Sequence, residues 1–251
     1  MQADQVDVGG ARFFVRRWGE KTSPAVFYWH GGGGGSGEWP HFAPALEAAG
    51  YAVYAPDAPG YGESPTIDPE RYRTPAVADL AIGLIDALGI APVVWLGYSW
   101  GGNVGIHTVV RAPDRIKGLA LLDGGYLVPE DDPDYDPAAT LEERTAALRE
   151  EIDPDEHWDA PVEIMAMAMK GSNEEPGAPL LPQVEATGIP VLLVHATEPP
   201  EYADLRGRAL ARFRTGVPSA EIVPVRADHG IFEAAGGDVR RIVLDWLARN
   251  A

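Results

Sequence analysis

Ser99 stands in Gly97-Tyr98-Ser99-Trp100-Gly101, with Gly102 following. An apolar run, Pro92–Leu96, leads into these residues, and a helix-like stretch, Gly102–Arg111, leads out. Gly-x-Ser-x-Gly between a strand and a helix is the pattern of a nucleophile turn. A serine hydroxyl attacks an acyl carbon only if it stands clear of the backbone, on a turn too tight for side chains at its flanks. Gly97 and Gly101 remove those side chains, so the turn can hold Ser99 in an uncommon backbone conformation. The amide of Trp100, first donor of the outgoing helix, would point at an oxyanion formed on a substrate attacked by Ser99.

A second segment with chemical potential is His30-Gly31-Gly32-Gly33-Gly34-Gly35-Ser36-Gly37. Five consecutive glycines exclude a helix or a stable strand interior. At the end of a strand, bare amides can approach a ligand closely. Phosphate binding is the rival use, but there is no Gly-Lys-Ser/Thr and no Gly-x-Gly-x-x-Gly with a ribose-binding acid in register. The segment therefore reads as an oxyanion loop. Asp57 and Ser64, in the turn-rich Asp57–Pro65, read as groups that bond to the backbone and shape that loop.

The elements that must position these groups alternate. Strands are expected at Ala11–Trp18, Ala25–Trp29, Tyr51–Pro56, Val93–Leu96 and Ile116–Leu122, the last ending on Asp123-Gly124-Gly125. A helix from about Trp39 to Ala49 puts Phe42, Leu46 and Ala49 on one face. Another, opened by the cap Thr74 and by Pro75, runs to Leu88 and closes at Gly89. From Tyr126 to Thr187 the alternation breaks, and only helices are expected, one capped by Thr140 through Leu141–Glu150 and one capped by Asp159 through about Lys170. It resumes with strand Pro190–Val194, a helix around Tyr202–Arg214, strand Glu221–Val225 and a helix Val239–Asn250. This order predicts an α/β fold, a doubly wound and mostly parallel sheet with right-handed crossovers. Ligands sit at the carboxyl ends of strands in that architecture. The glycine loop, Ser99 and Asp123 all fall there, and His229 follows the last strand.

Composition narrows the function further. The 38 acidic and 20 basic side chains leave a net charge of −18, which repels nucleic acid and anionic membranes. No apolar run approaches the about 18 residues of a membrane span. No basic-then-apolar leader opens the chain, and there is no cysteine for a disulfide, a thiolate nucleophile or a Cys-based metal site. A cytoplasmic protein is expected, with no nucleic-acid or membrane partner. Residues 130–159 hold thirteen acidic side chains against two arginines and read as a solvated face.

Gly97–Gly102, His30-Gly31-Gly32 at a strand end, Asp57-Ala58-Pro59-Gly60-Tyr61-Gly62-Glu63-Ser64 and the late Asp228-His229-Gly230 together resemble the α/β-hydrolase fold family. The resemblance covers nearly the whole chain and is most specific before residue 126. It implies one domain over residues 1–251, with a helical cap at 126–187 inserted after the sixth strand. It further implies a Ser-acid-His triad in that chain order, an oxyanion hole, and no metal or organic cofactor. Ser99 is then the nucleophile and His229 the base, since the family places its base after the last strand. Of the other histidines, His30 belongs to the oxyanion loop, His41, His107 and His157 lie on expected helices, and His195 ends a strand.

Two carboxylates compete for the acid. Most of the family places it after the strand beyond the cap, where this chain has His195-Ala196-Thr197-Glu198-Pro199-Pro200. Some branches place it at the end of the strand after the nucleophile helix, where Asp123 stands 24 residues beyond Ser99 (123 − 99). Asp123 is preferred over Glu198 on geometry. Asp228 is a third choice. The oxyanion donors are the amides of Trp100 and Gly32, or Gly33 one step along. The expected activity is hydrolysis of a carboxylic ester or lactone through an acyl-enzyme. A proline iminopeptidase-like activity and a ligand receptor with little turnover are the alternatives. Haloalkane dehalogenase and epoxide hydrolase chemistry are disfavoured, because those relatives use an aspartate nucleophile. The expected substrate is small, neutral and apolar; Met165 and Met169, on one helical face, either pack the cap onto the main domain or line the pocket. The oligomeric state is left open.

Overall fold

The computed structural model describes residues 1–131, 135–152 and 158–251, without the side chains of Glu38, Pro40 and His41. His157 and five acids of the 130–159 run lie outside the described residues. The strands are β1 (Gln2–Val8), β2 (Ala11–Trp18), β3 (Ala25–Trp29), β4 (Ala52–Pro56), β5 (Val93–Tyr98), β6 (Ile116–Leu122), β7 (Val191–Ala196) and β8 (Glu221–Val225). The helices are α1 (Ala43–Ala48), α2 (Thr74–Leu88), α3 (Trp100–Arg111), α4 (Leu141–Glu151), α5 (Val162–Glu174), α6 (Leu181–Thr187), α7 (Ala203–Gly216) and α8 (Ile231–Asn250). The sheet order is β1-β2-β4-β3-β5-β6-β7-β8. The β1–β2 and β2–β4 pairs are antiparallel and every later pair is parallel.

The central strands are buried on both faces, which is why they read as near-continuous apolar runs. Phe27, Trp29, Trp95 and Leu121 point to one side, where α2, α3, α6 and α7 cover them. Val26, Tyr28, Val94 and Leu96 point to the other, under α1 and α8. Ile164, Met165 and Ala168 of α5 join the first of these two cores. Thus the helical stretch between β6 and β7 packs onto the same apolar mass as the sheet helices.

Several boundaries differ from expectation for identifiable reasons. β1 is polar and largely exposed, so its alternation is faint; it pairs with β2 through the two-residue turn Gly9-Gly10, both at positive φ. Thr74 is the first residue of α2, and Arg73 is its extended cap. Ser36–His41 form a 3-10 turn before α1, and Ala49 is exposed. α8 starts at Ile231, eight residues early, and absorbs Gly236-Gly237 by a break in helical geometry at Ala235. Asp159 does not cap α5, whose cap is Pro161. Proline already presets the helical φ there, and the Asp159 backbone is engaged elsewhere: its amide donates to the Gly33 carbonyl at 3.0 Å and its carbonyl accepts from Gly62 at 2.6 Å.

α3 lies unusually close to the sheet. The Trp95 indole sits under it, donating from Nε1 to the Gly101 carbonyl at 3.1 Å and stacked on Trp29 at 5.7 Å. A Cβ added at Gly105 would fall 2.3 Å from Trp95 Nε1. At the exposed Gly207 of α7 it would meet nothing within 4 Å. Alanine is worth up to about 1 kcal/mol over glycine inside a helix, whereas overpacking a core costs about 1–3 kcal/mol. Gly207→Ala should therefore raise the urea midpoint, and Gly105→Ala should lower it. Equal shifts in the two variants would show that α3 has room the packing denies.

Candidate active site

The turn joining β5 to α3 is built from close backbone approaches. A Cβ at Gly97 would lie 2.3 Å from the Gly101 carbonyl oxygen, and one at Gly101 would lie 2.2 Å from that of Trp29. Between them Ser99 takes φ 50° and ψ −115°, a conformation that costs about 1–3 kcal/mol for a non-glycine residue. The surroundings hold it there. Its amide donates to the Leu122 carbonyl at 3.0 Å and its carbonyl accepts from Gly102 at 2.9 Å. Gly124 passes so near that a Cβ would come within 2.1 Å of the Ser99 carbonyl oxygen.

The other non-glycine residue at positive φ among those described is Asp123, at φ 46°, directly after β6. Its amide donates to the Val194 carbonyl at 2.7 Å. Its Oδ1 accepts from the Ala196 amide at 2.9 Å and from the Tyr126 hydroxyl at 3.0 Å. Its Oδ2 faces Nδ1 of His229 at 2.8 Å, and His229 Nε2 lies 2.8 Å from Ser99 Oγ. Burial pushes the Asp123 carboxyl up, but the hydrogen bonds and charge of His229, then the Ala196 amide and Tyr126 hydroxyl, outweigh it and hold the group below its ordinary value. A carboxylate only accepts hydrogen bonds, so the His229 proton belongs on Nδ1. Nε2 then turns its lone pair to the serine hydroxyl. Asp123 is 6% exposed and the His229 side chain 59%, so the chain runs from the protein interior to open solvent.

The two competing carboxylates have other partners. Glu198 pairs with Arg226 at 3.4 Å, and Asp228 accepts from the Gly230 amide at 3.0 Å. Tyr126 joins the site through Asp123, and its place three residues after that carboxylate is its one signal in the sequence. Burial and the neighbouring Asp123 charge both push its phenol up, so it stays a hydrogen-bond donor.

The glycine loop is anchored by His30. The Ala58 amide donates to His30 Nε2 at 2.9 Å, which leaves the proton on Nδ1, donating to the Gly31 carbonyl at 2.7 Å. Burial keeps this ring neutral by lowering its pKa. Asp57 holds the loop from the other side, accepting from the amides of Ser36 at 2.6 Å and Glu63 at 2.9 Å. The Ser64 hydroxyl donates to the Asp57 carbonyl at 2.8 Å. Asp57 and Ser64 thus shape the loop. Gly32 is open, with nothing within 4 Å of a notional Cβ, whereas at Gly33 that atom would fall 2.1 Å from the Trp158 ring. Trp158 lies over Gly33, and both Gly32 and Gly33 line the cleft. Trp100 opens α3, so its amide has no acceptor within the helix.

Ser99, Trp100, Gly32, Asp123 and His229 all line one cleft. Leu127, Leu148, Ile152, Met165, Met169 and Tyr202 supply its apolar wall. Among the described residues the large exposed apolar side chains are Met1, Leu127, Met169 and Tyr202. Three of these four line this cleft. Met165 also belongs to the main core, and the half-buried Met167 packs against that core without lining the cleft. Asp131, Glu151, Asp228, Glu233 and Asp238 also line the cleft, against Arg206 and Arg240. Among the described residues no cluster of three His, Asp or Glu side chains is placed to hold a metal ion, and no helix is long and apolar enough to cross a membrane.

Comparison with known proteins agrees with this architecture. Epoxide hydrolase A of Mycobacterium tuberculosis is 36% identical over 118 residues, 47% of this chain and 37% of that protein. The 2-hydroxy-6-oxo-6-phenylhexa-2,4-dienoate hydrolase of Burkholderia cepacia is 35% identical over 106 residues, 41% of this chain and 37% of that protein. The matched part of the chain thus spans little more than a third of these curated relatives. The enol-lactonase of Burkholderia xenovorans superposes with a TM-score of 0.77 at 22% identity, covering 98% of this chain and 100% of that one. An esterase from Exiguobacterium antarcticum gives 0.79 at 17% identity, with 98% and 100% covered. The family model described as alpha/beta hydrolase fold matches residues 24–154, more than half of the 251. The chain belongs to the α/β-hydrolase fold family.

Proposed function

We propose that this protein is a serine hydrolase that cleaves a carboxylic ester or lactone through an acyl-enzyme. The observation that carries the reading is the chain Ser99 Oγ–His229 Nε2–Nδ1–Asp123 Oδ2, with 2.8 Å at each hydrogen bond and the serine on a strained turn. His229 Nε2 takes the Ser99 proton as Oγ bonds to the carbonyl carbon, and the π electrons move onto the carbonyl oxygen. The amides of Trp100 and Gly32 donate to that oxyanion; one such donor contributes about 3–4 kcal/mol to transition-state stabilisation. Asp123 stabilises the imidazolium, which then returns its proton to the departing alkoxide or ring oxygen. Water repeats the sequence on the acyl-enzyme and frees Ser99.

Some relatives are named epoxide hydrolases. A serine at position 99 supports acyl transfer over the aspartate chemistry attributed above to that branch. The names enol-lactonase and esterase, carried by similar folds, are compatible with the reading. The apolar wall with Met165 and Met169, set among acidic residues, supports neutral apolar substrates over anionic ones. The helical stretch between β6 and β7 acts as the cap over that substrate, and the whole works as one domain.

Ser99→Ala should lower kcat on a reactive p-nitrophenyl ester by about 10⁴–10⁶ with an unchanged urea midpoint, and a fluorophosphonate should label Ser99 alone. Full activity in that variant, or labelling elsewhere, sinks the reading. Asp123→Asn should cost about 10³–10⁴ in kcat while Glu198→Gln costs little; the reverse ranking would move the acid beyond β7. For the substrate, kcat/KM on a neutral ester should exceed that on its carboxylate analogue at low salt, and the gap should narrow at high salt. Met165→Ala and Met169→Ala should shift the preferred acyl length. Equal rates on both esters and an unshifted length preference would leave the methionines a packing role only.

A further inference from the structure

We infer that Tyr98 is a positioning residue for His229, holding both its main chain and its ring in register with Ser99. The inference rests on the reading of Ser99 and His229 above. His229 needs such a device. It sits between β8 and α8 on a loop, its side chain is 59% exposed, and α8 departs from helical geometry at Ala235. Asp123 and Ser99 bind only the two ring nitrogens. An in-plane pair of contacts leaves the ring free to tilt and the loop free to drift.

Tyr98 supplies the missing restraints. Its hydroxyl donates to the His229 carbonyl at 2.7 Å, across 131 residues of sequence. The same carbonyl accepts from Ile231, so the loop is fixed from both the sheet and the helix sides. The phenol ring lies against the imidazole, with centroids 5.3 Å apart and planes 23° from parallel. Phe232 meets the phenol edge-on at 4.8 Å, and a Cβ at Gly31 would come within 3.0 Å of it. The Tyr98 ring is therefore itself immobilised between the oxyanion loop and the start of α8. As the residue before Ser99, it moves only with the elbow. It ties the elbow, the glycine loop and the base loop into one unit. Its π face also lies where the imidazolium forms, a favourable place for a cation.

Tyr98→Phe keeps the ring and loses the tether, and Tyr98→Leu loses both. We expect kcat to fall about 5–10-fold in Tyr98→Phe and about 50–100-fold in Tyr98→Leu, with KM within twofold and fluorophosphonate labelling of Ser99 slowed in parallel. An independent readout needs no turnover: the low-field Nδ1–H proton resonance of His229 on Asp123, assigned by its loss in His229→Gln. It should be sharp in the native protein and broadened or lost in Tyr98→Phe. A Tyr98→Phe variant with native kcat, labelling rate and resonance overturns the inference, as does a kcat loss that only tracks a lowered urea midpoint. If the native chain neither turns over esters nor labels at Ser99, the serine-hydrolase reading fails, and the resonance alone decides whether Tyr98 holds the ring.

Discussion

Helix α3 begins in backbone contact with the ends of three neighbouring strands, and much of the site follows from that closeness. Gly97, Gly101, Gly102 and Gly124 stand where a single Cβ would strike main-chain atoms of the adjoining segments. The approach forces Ser99 to positive φ and presents its hydroxyl at the sheet edge. It also brings the first turn of α3 over the Trp95–Trp29 stack, which fills the space beneath the elbow. An interior packed this densely does not yield by fractions of an ångström. The strain at Ser99 therefore persists because the core around it leaves no alternative.

The electrostatic design follows from the same crowding. Asp123 is forced to positive φ beside the elbow and buried, a setting hostile to a carboxylate. It remains ionised because both oxygens are occupied: one by the Ala196 amide and Tyr126 hydroxyl, the other by His229. A charged group with fixed partners gives His229 one tautomer and one orientation. Buried His30 achieves the complementary result, a neutral ring whose two nitrogens have distinct roles in holding the glycine loop.

The stretch between β6 and β7 carries two physical tendencies at once. α5 sends Ile164, Met165 and Ala168 into the main core, while Met165 also lines the cleft and the exposed Met169 reaches into it. Trp158 and Asp159 fasten the stretch to the glycine loops, through ring contact at Gly33 and backbone hydrogen bonds to Gly33 and Gly62. The segment that would select the substrate is thus bonded to the segment that would bind the oxyanion. A change in one is felt by the other.

Local pattern determined much of this protein from its sequence. Apolar runs marked β3 and β6 to the residue, β8 was bounded to the residue despite its polar Glu221, and the Thr140 cap marked the start of α4. Gly-x-Ser-x-Gly and the glycine run marked the two loops at the carboxyl edge, because tight turns demand residues without side chains. The features that escaped depend on contacts between distant segments. β1 is mostly polar and exposed, and it becomes a strand by pairing with β2. Asp159 has the chemistry of a cap, yet its backbone is claimed by loops about 100 residues away. Both Asp123 and Glu198 stand near strand ends; the sequence favoured Asp123, but the contact with His229 is visible only in the tertiary structure. His229 meets Asp123 across 106 residues because β6 and β7 run side by side and Ala196 adds its amide, while Glu198 is drawn outward to Arg226. Tyr98 occupies an unspecified position of Gly-x-Ser-x-Gly. Its contact with His229 across 131 residues exists only once β5 and β8 lie in one sheet, since no local rule couples residues that far apart.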